Sequence, residues 1–155
     1  MPFFYNAIYV IVISEDVMPK VTRVTVSIDE PLLEQFEQYL NANGYPSRSE
    51  GIKSIMRKAL VEDQWATDAE VAAAVTIVYD HHKPGVMQRM TEVQHDFGDM
   101  VICTQHVHLD HHNCMEVLIL KGKSAQIKAL FNSLKAIKGL KHSSLSASTT
   151  GGDIH

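Results

Sequence analysis

The stretch Met100-Val-Ile-Cys-Thr-Gln-His-Val-His-Leu-Asp-His-His-Asn-Cys-Met-Glu-Val-Leu-Ile-Leu-Lys121 decides how this chain is read. Side chains alternate along a strand, so Ile102, Thr104, His106 and His108 share one face, with Val101, Cys103, Gln105, Val107 and Leu109 on the other. The turn Asp110-His111-His112-Asn113 reverses the chain, and Cys114, Glu116, Leu118 and Leu120 then share a face of the next, antiparallel strand. Two histidines two residues apart project side by side, which suits adjacent ligand positions on one metal ion. Cys114 reaches toward the same place from across the hairpin. An isolated His-x-His is a common accident of packing; the cysteine is what makes it a candidate centre. Cys103 points away and reads as a small buried hydrophobe. Two imidazoles and a thiol exclude magnesium and calcium and leave zinc, copper, nickel or cobalt, among which spacing does not choose.

Working outward, Val71–His81 reads as a strand, Pro84-Gly85 as a turn and Val86–Phe97 as a helix. Strands Met100–Leu109 and Cys114–Lys121 follow. Ser124 is positioned to cap a last helix carrying Ile127, Leu130, Phe131, Leu134 and Ile137 on one face, and a final strand falls between Leu140 and Thr149. This is a βαββαβ, ferredoxin-like domain over residues 71–150, with a tail at 151–155. Upstream, Val24, Val26 and Ile28 alternate with Arg23, Thr25 and Ser27, a short strand with one apolar and one polar face. Asp29 is placed to cap a helix with Glu30 and Pro31 in its first turn and Leu32, Leu33, Phe36 and Leu40 as its stripe; Gly44 ends it. Ser47 or Ser49 opens a second helix carrying Ile52, Ile55, Met56, Ala59 and Leu60. One strand cannot satisfy its own backbone groups, so this strand–helix–helix unit, residues 18–62, is expected to pair with a second copy as a ribbon-helix-helix dimer. Val61 to Glu70 loses both periodicities, which sets a linker at 63–70. The fold class is α+β.

The 155 residues, 45% hydrophobic and 21% charged, have room for two small soluble domains. A net charge of −4 argues against unspecific coating of nucleic acid but allows a local basic surface. Two cysteines are too few for a disulfide framework, and a reducing, cytoplasmic setting is expected. Phe3 to Ile13 is apolar but too short to span a bilayer. It lacks the basic start of a secretory signal, so residues 1–17 read as a dispensable extension and no membrane partner is expected.

The Arg23–Ser27 strand, Gly44-Tyr45, Arg48-Ser49-Glu50, and His106-Val107-His108-Leu109 followed after four residues by Cys114-Met115-Glu116 and by Lys121-Gly122, together resemble the NikR-type nickel-responsive transcriptional regulators, from about Val21 to His142. The resemblance implies an ACT-like form of the second domain and a homotetramer built as a dimer of dimers. It implies one Ni(2+) per subunit, four-coordinate and planar, held by His106, His108 and Cys114, with His95 reaching from a facing subunit. Gln94 and Glu116 would support those ligands, and His111 also matches a family position. A two-stranded ribbon fits the major groove of double-stranded DNA. Arg23, Thr25 and Ser27 would meet base edges there, and Arg48 and Ser49 a phosphate at a helix start. The implied function is a regulator, a repressor of nickel uptake, in which metal at a subunit interface controls affinity for an operator with two half-sites. This chain departs from the family where Asp96 and Phe97 follow His95 in place of a run of histidines, and where Pro84 follows Lys83. His81, His82, His112, His142 and His155 read as surface residues. The alternatives are a ribbon-helix-helix repressor or antitoxin that senses another metal or a small ligand, and a zinc enzyme with Glu116 as base. An antitoxin would end in a disordered tail, whereas 71–142 looks folded; a fourth ligand from His95 would close the position an enzyme needs open.

Overall fold

The structure is a computed structural model of the chain and describes residues 20–154; the proposed extension, 1–17, and His155 lie outside the described residues. Two helices come first, α1 (Glu30–Ala42) and α2 (Arg48–Ala66). Asp29 occupies the N-cap position of α1, but its side chain makes no capping bond; its carbonyl accepts from the amide of Leu33 instead. Ser47 does cap α2, its hydroxyl accepting from the amide of Glu50 at 3.2 Å. The two helices pack where Gly51 meets Leu40: a Cβ at Gly51 would lie 2.1 Å from Leu40 Cδ2, so any larger residue there would force the Leu40 side chain to move.

Residues 20–29 carry no regular structure, although Val21 to Ile28 was expected to form a strand, and Val21, Val24, Val26 and Ile28 are all exposed. The physical reason is the one that predicted pairing: a single strand has no ladder partner within its own chain.

The second half follows as β1 (Glu70–Asp80), α3 (Val86–Asp96), one 3-10 turn (Gly98–Met100), β2 (Val101–His108), β3 (Asn113–Lys123), α4 (Ser124–Lys135) and β4 (Leu140–Ala147). The four strands form an antiparallel sheet in the order β2-β3-β1-β4, the βαββαβ arrangement read from the sequence. Val71, Ala73, Val75, Ile77 and Tyr79 of β1 alternate inward and, with Cys114, Leu118 and Leu120 of β3, pack beneath Val86 and Met90 of α3 and Ile127, Leu130 and Leu134 of α4. Strand β2 is an edge and is exposed along nearly its whole length.

Helix α2 runs on to Ala66, through half of the segment read as linker. The reason is Trp65, which belongs to the core of the second half. Its indole N–H donates to the Ser148 carbonyl at 2.8 Å, and its own carbonyl accepts from the Ser124 hydroxyl at 2.9 Å and the Lys128 ammonium at 3.0 Å. Ser124 is therefore engaged with Trp65 rather than capping α4. The capping is done by Asp68, whose Oδ1 accepts from the Ala125 amide at 2.8 Å. Trp65→Ala is expected to lower stability by about 3–5 kcal/mol, the cost of deleting a large buried aromatic, read as an earlier midpoint in denaturant unfolding.

Candidate metal centre

The hairpin β2–β3 sets the site. Its register places His108 opposite Cys114 and His106 opposite Glu116, and a shift between Val101 and Cys103 precedes this regular stretch. The turn joining the strands is held by Asp110, whose Oδ1 accepts from the amides of His112 and Asn113, both at 2.8 Å. These bonds and the Asn113 side chain hold the Asp110 carboxyl down at about 2, so it stays anionic at neutral pH.

Cys114 is fully buried. Its Sγ lies 3.2 Å from His108 Nδ1 and 3.5 Å from His81 Nδ1. The three potential ligand atoms lie within 4.8 Å of one another. Burial pushes the Cys114 thiol up, with the carboxylates of Asp110, Asp80 and Glu116 adding to it. His81 had read as a surface residue; β1 ends at Asp80, and the chain's turn there brings its ring to within 5.7 Å of the His108 ring. A histidine just past a strand end gives no periodic signal, and only the β1–β3 pairing reveals it, since Tyr79 stands opposite Cys114.

His106 is oriented differently. Its ring lies 4.9 Å from that of His108, but its Nδ1 meets the Tyr79 hydroxyl at 3.2 Å and the Glu116 carboxylate at 3.7 Å. Tyr79 donates to Glu116 Oε2 at 3.4 Å, and Gln94 Nε2 donates to Glu116 Oε1 at 2.5 Å. Thr104 in turn donates to Gln94 Oε1 at 3.1 Å. With the single phenol proton given to Glu116, Tyr79 can only accept from His106, so the His106 proton sits on Nδ1 and Nε2 keeps a free lone pair. A histidine that ligates a metal through Nε2 is commonly held from behind by such a carboxylate network. Gln94 and Glu116, which the family resemblance singled out, are in contact with each other, and Tyr79, which the sequence did not single out, links Glu116 to His106.

His95 is exposed on α3 and joins neither group of potential ligands found among the described residues. Successive helical residues point about 100° apart; because Gln94 turns inward to Glu116, His95 turns away from the cluster in its own chain. Cys103, expected to be buried, is exposed: its face of the edge strand β2 is uncovered. Of the residues read as DNA contacts, Arg23, Thr25 and Ser27 are exposed in residues 20–29, Ser49 is exposed in the first turn of α2, and Arg48 pairs with Glu37 of α1 on the surface.

The donor set of the centre is one thiol and imidazole nitrogens, with carboxylates one step removed. It suits a borderline late first-row ion and is wrong for magnesium or calcium, so nickel fits it. The family model described as "NikR C terminal nickel binding domain" matches residues 72–148, the span that holds the cluster. A protein of Desulfovibrio desulfuricans named "Putative nickel-responsive regulator" is 46% identical over 137 residues, covering 88% of this chain and 99% of its own length. Proteins with the same name are similar to this chain in Nitratidesulfovibrio vulgaris strain Miyazaki F, 48% identical over 88% of this chain and 99% of that protein, and in Geobacter sulfurreducens, 45% identical over 89% of this chain and all of that protein. With this identity over nearly the full length of each relative, the chain belongs to the nickel-responsive regulator family.

Proposed function

We propose that this chain is a nickel-dependent, DNA-binding transcriptional regulator, a repressor of nickel uptake, whose metal centre lies between subunits. The observation that carries the proposal is the Cys114 cluster with its orienting network: a buried thiol beside two imidazoles, and a third, His106, with its Nε2 free. In this reading His106, His108 and Cys114 hold one nickel ion per subunit, and His95, directed away from its own cluster, completes the centre of a second copy. A bound ion would supply a bond bridging two chains and draw the thiolate form out of a thiol that burial otherwise keeps protonated. The chain's own part is to hold the lone pairs in place through Tyr79, Glu116 and Gln94.

The assembly follows from exposed apolar surface. Ile28, Leu32, Phe36, Ile52, Ile55 and Met56 line an open apolar groove between residues 20–29 and the two helices. In this reading the domains run 18–62 and 71–150, and the groove is filled by a second copy as the unpaired residues 21–28 form a ribbon with theirs. Arg23, Thr25 and Ser27 would then face the major groove of an operator half-site. The exposed edge strand β2, with Ile102, Val107 and Leu109, would join two dimers into a tetramer that contacts two half-sites. Arg48 would reach a phosphate only by leaving Glu37, which makes it a weaker contact than Arg23.

The test is a Ni(II) titration of metal-free protein followed by absorbance. A thiolate charge-transfer band that depends on Cys114 is expected, with the tight phase ending at one nickel per subunit, and Cys114→Ala should abolish it. Operator binding should need nickel in the parent protein; Arg23→Ala should weaken it by about 1–3 kcal/mol while leaving the band intact. A titration without a thiolate band, or DNA binding indifferent to nickel, would overturn the reading. The network makes a further prediction. Burial, aided by the charges of Glu116 and Cys114, pushes the Tyr79 phenol up to about 12 from an ordinary value of 10.0. Its proton is therefore held by the fold more tightly than by the unfolded chain, and the contribution of this bond is present below pH 10.0 and lost as pH rises through about 12. In an alkaline absorbance titration one tyrosine should ionise near pH 12 and be missing from the profile of Tyr79→Phe.

A further inference from the structure

The pairing of β1 with β4 changes register where it passes the metal centre. From Ala73 opposite Ala147 to Val78 opposite His142 the partners step evenly, and the next step would set Lys141 opposite Tyr79. Leu140 stands opposite Tyr79 instead, so Lys141 is an extra, unopposed residue, a β-bulge. Residues directly opposite each other share a face of the sheet, and Tyr79 is fully buried. Unbroken register would therefore turn the Lys141 ammonium toward the buried face, at a high cost in lost hydration. The bulge gives that place to Leu140, which packs against the core, and leaves Lys141 exposed. From there the ammonium donates to Asn113 Oδ1 at 2.5 Å, 28 residues away in sequence.

We propose that Lys141 is a positioning residue for the metal centre: placed by the bulge, it braces the β2–β3 turn and so holds His108 and Cys114 at the spacing that a shared ion requires. This inference rests on the reading of the Cys114 cluster as a nickel site. Asn113 immediately precedes Cys114 and is the hub of the turn. Its carbonyl accepts from the Leu109 amide at 2.8 Å and the Asp110 amide at 3.3 Å, and its Nδ2 donates to Asp110 Oδ2 at 2.7 Å. Lys141 reaches this hub from β4, across β1, and sets the direction of the Asn113 amide: with Oδ1 accepting from the ammonium, Nδ2 is the end that meets Asp110. The charge of the ammonium acts the other way, since it repels a divalent ion at the same end of the sheet. The two effects differ in sign, so removing Lys141 separates them: lost bracing loosens the metal, lost repulsion tightens it.

The experiment mixes the nickel-loaded full chain with excess EDTA and follows the decay of the thiolate charge-transfer band. Lys141→Met, which keeps the length of the side chain and removes the donor, should release nickel about fivefold faster, the scale of one partly exposed hydrogen bond. Lys141→Arg, which keeps a charged donor, should return most of the parent rate. The denaturant midpoint of metal-free Lys141→Met, read from Trp65 fluorescence, should stay near that of the parent, which distinguishes lost positioning from a weakened fold. Unchanged or slower release from Lys141→Met would overturn the proposal, as would faster release matched by an equal loss of metal-free stability. A parent protein without the thiolate band would overturn the nickel reading and this inference with it, whereas a band released at the same rate by parent and variant counts against the brace alone.

Discussion

The β2–β3 hairpin is held in register by its turn, and that register is the constraint on which the rest of the centre depends. Asp110 closes the turn by accepting two backbone amides, which fixes His108 against Cys114 and His106 against Glu116. A slip of one residue would send every one of these side chains to the opposite face of the sheet. The apolar core then does indirect work for the centre: Leu118 and Leu120 follow Cys114 and Glu116 on the same face, so the burial that anchors the strand also sets the orientation of the thiol and the carboxylate.

Burial holds on to both of the acidic hydrogens nearest the centre. It raises the Cys114 thiol, so a metal ion bound through that sulfur would have to displace a proton. It also keeps Tyr79 protonated, and there the proton is useful, since it fixes the direction of hydrogen bonding from His106 through the phenol to Glu116. A buried carboxylate would be costly if it stood alone; Glu116 is met by Gln94, Tyr79 and His106.

Much of this was legible in the chain itself because strands have a period of two. The βαββαβ order, the shared face of His106 and His108, and the approach of Cys114 across the hairpin all follow from alternation and one turn. The supporting pair Gln94 and Glu116 came from family resemblance, and the structure places them in contact. Other features lay outside what periodicity can convey. His81 and Tyr79 enter the centre through the pairing of β1 with β3, more than thirty residues apart in sequence, and no local pattern reports such a contact. Cys103 was misread because an apolar-looking position on an edge strand need not be covered. Trp65 sat in a stretch with neither period, yet it is a core residue of the domain that follows.

That tryptophan has a mechanical consequence. Helix α2 spans 19 residues, about 28 Å at 1.5 Å per residue, with its C-terminal end clamped by bonds to Ser148, Ser124 and Lys128. It is a rigid rod rooted in one half of the chain whose free end belongs to the other. Tilting the root by about 10° would carry the far end through roughly 5 Å, comparable to one helical turn. Small rearrangements around the sheet are thereby magnified at the N-terminal half rather than absorbed in a slack tether.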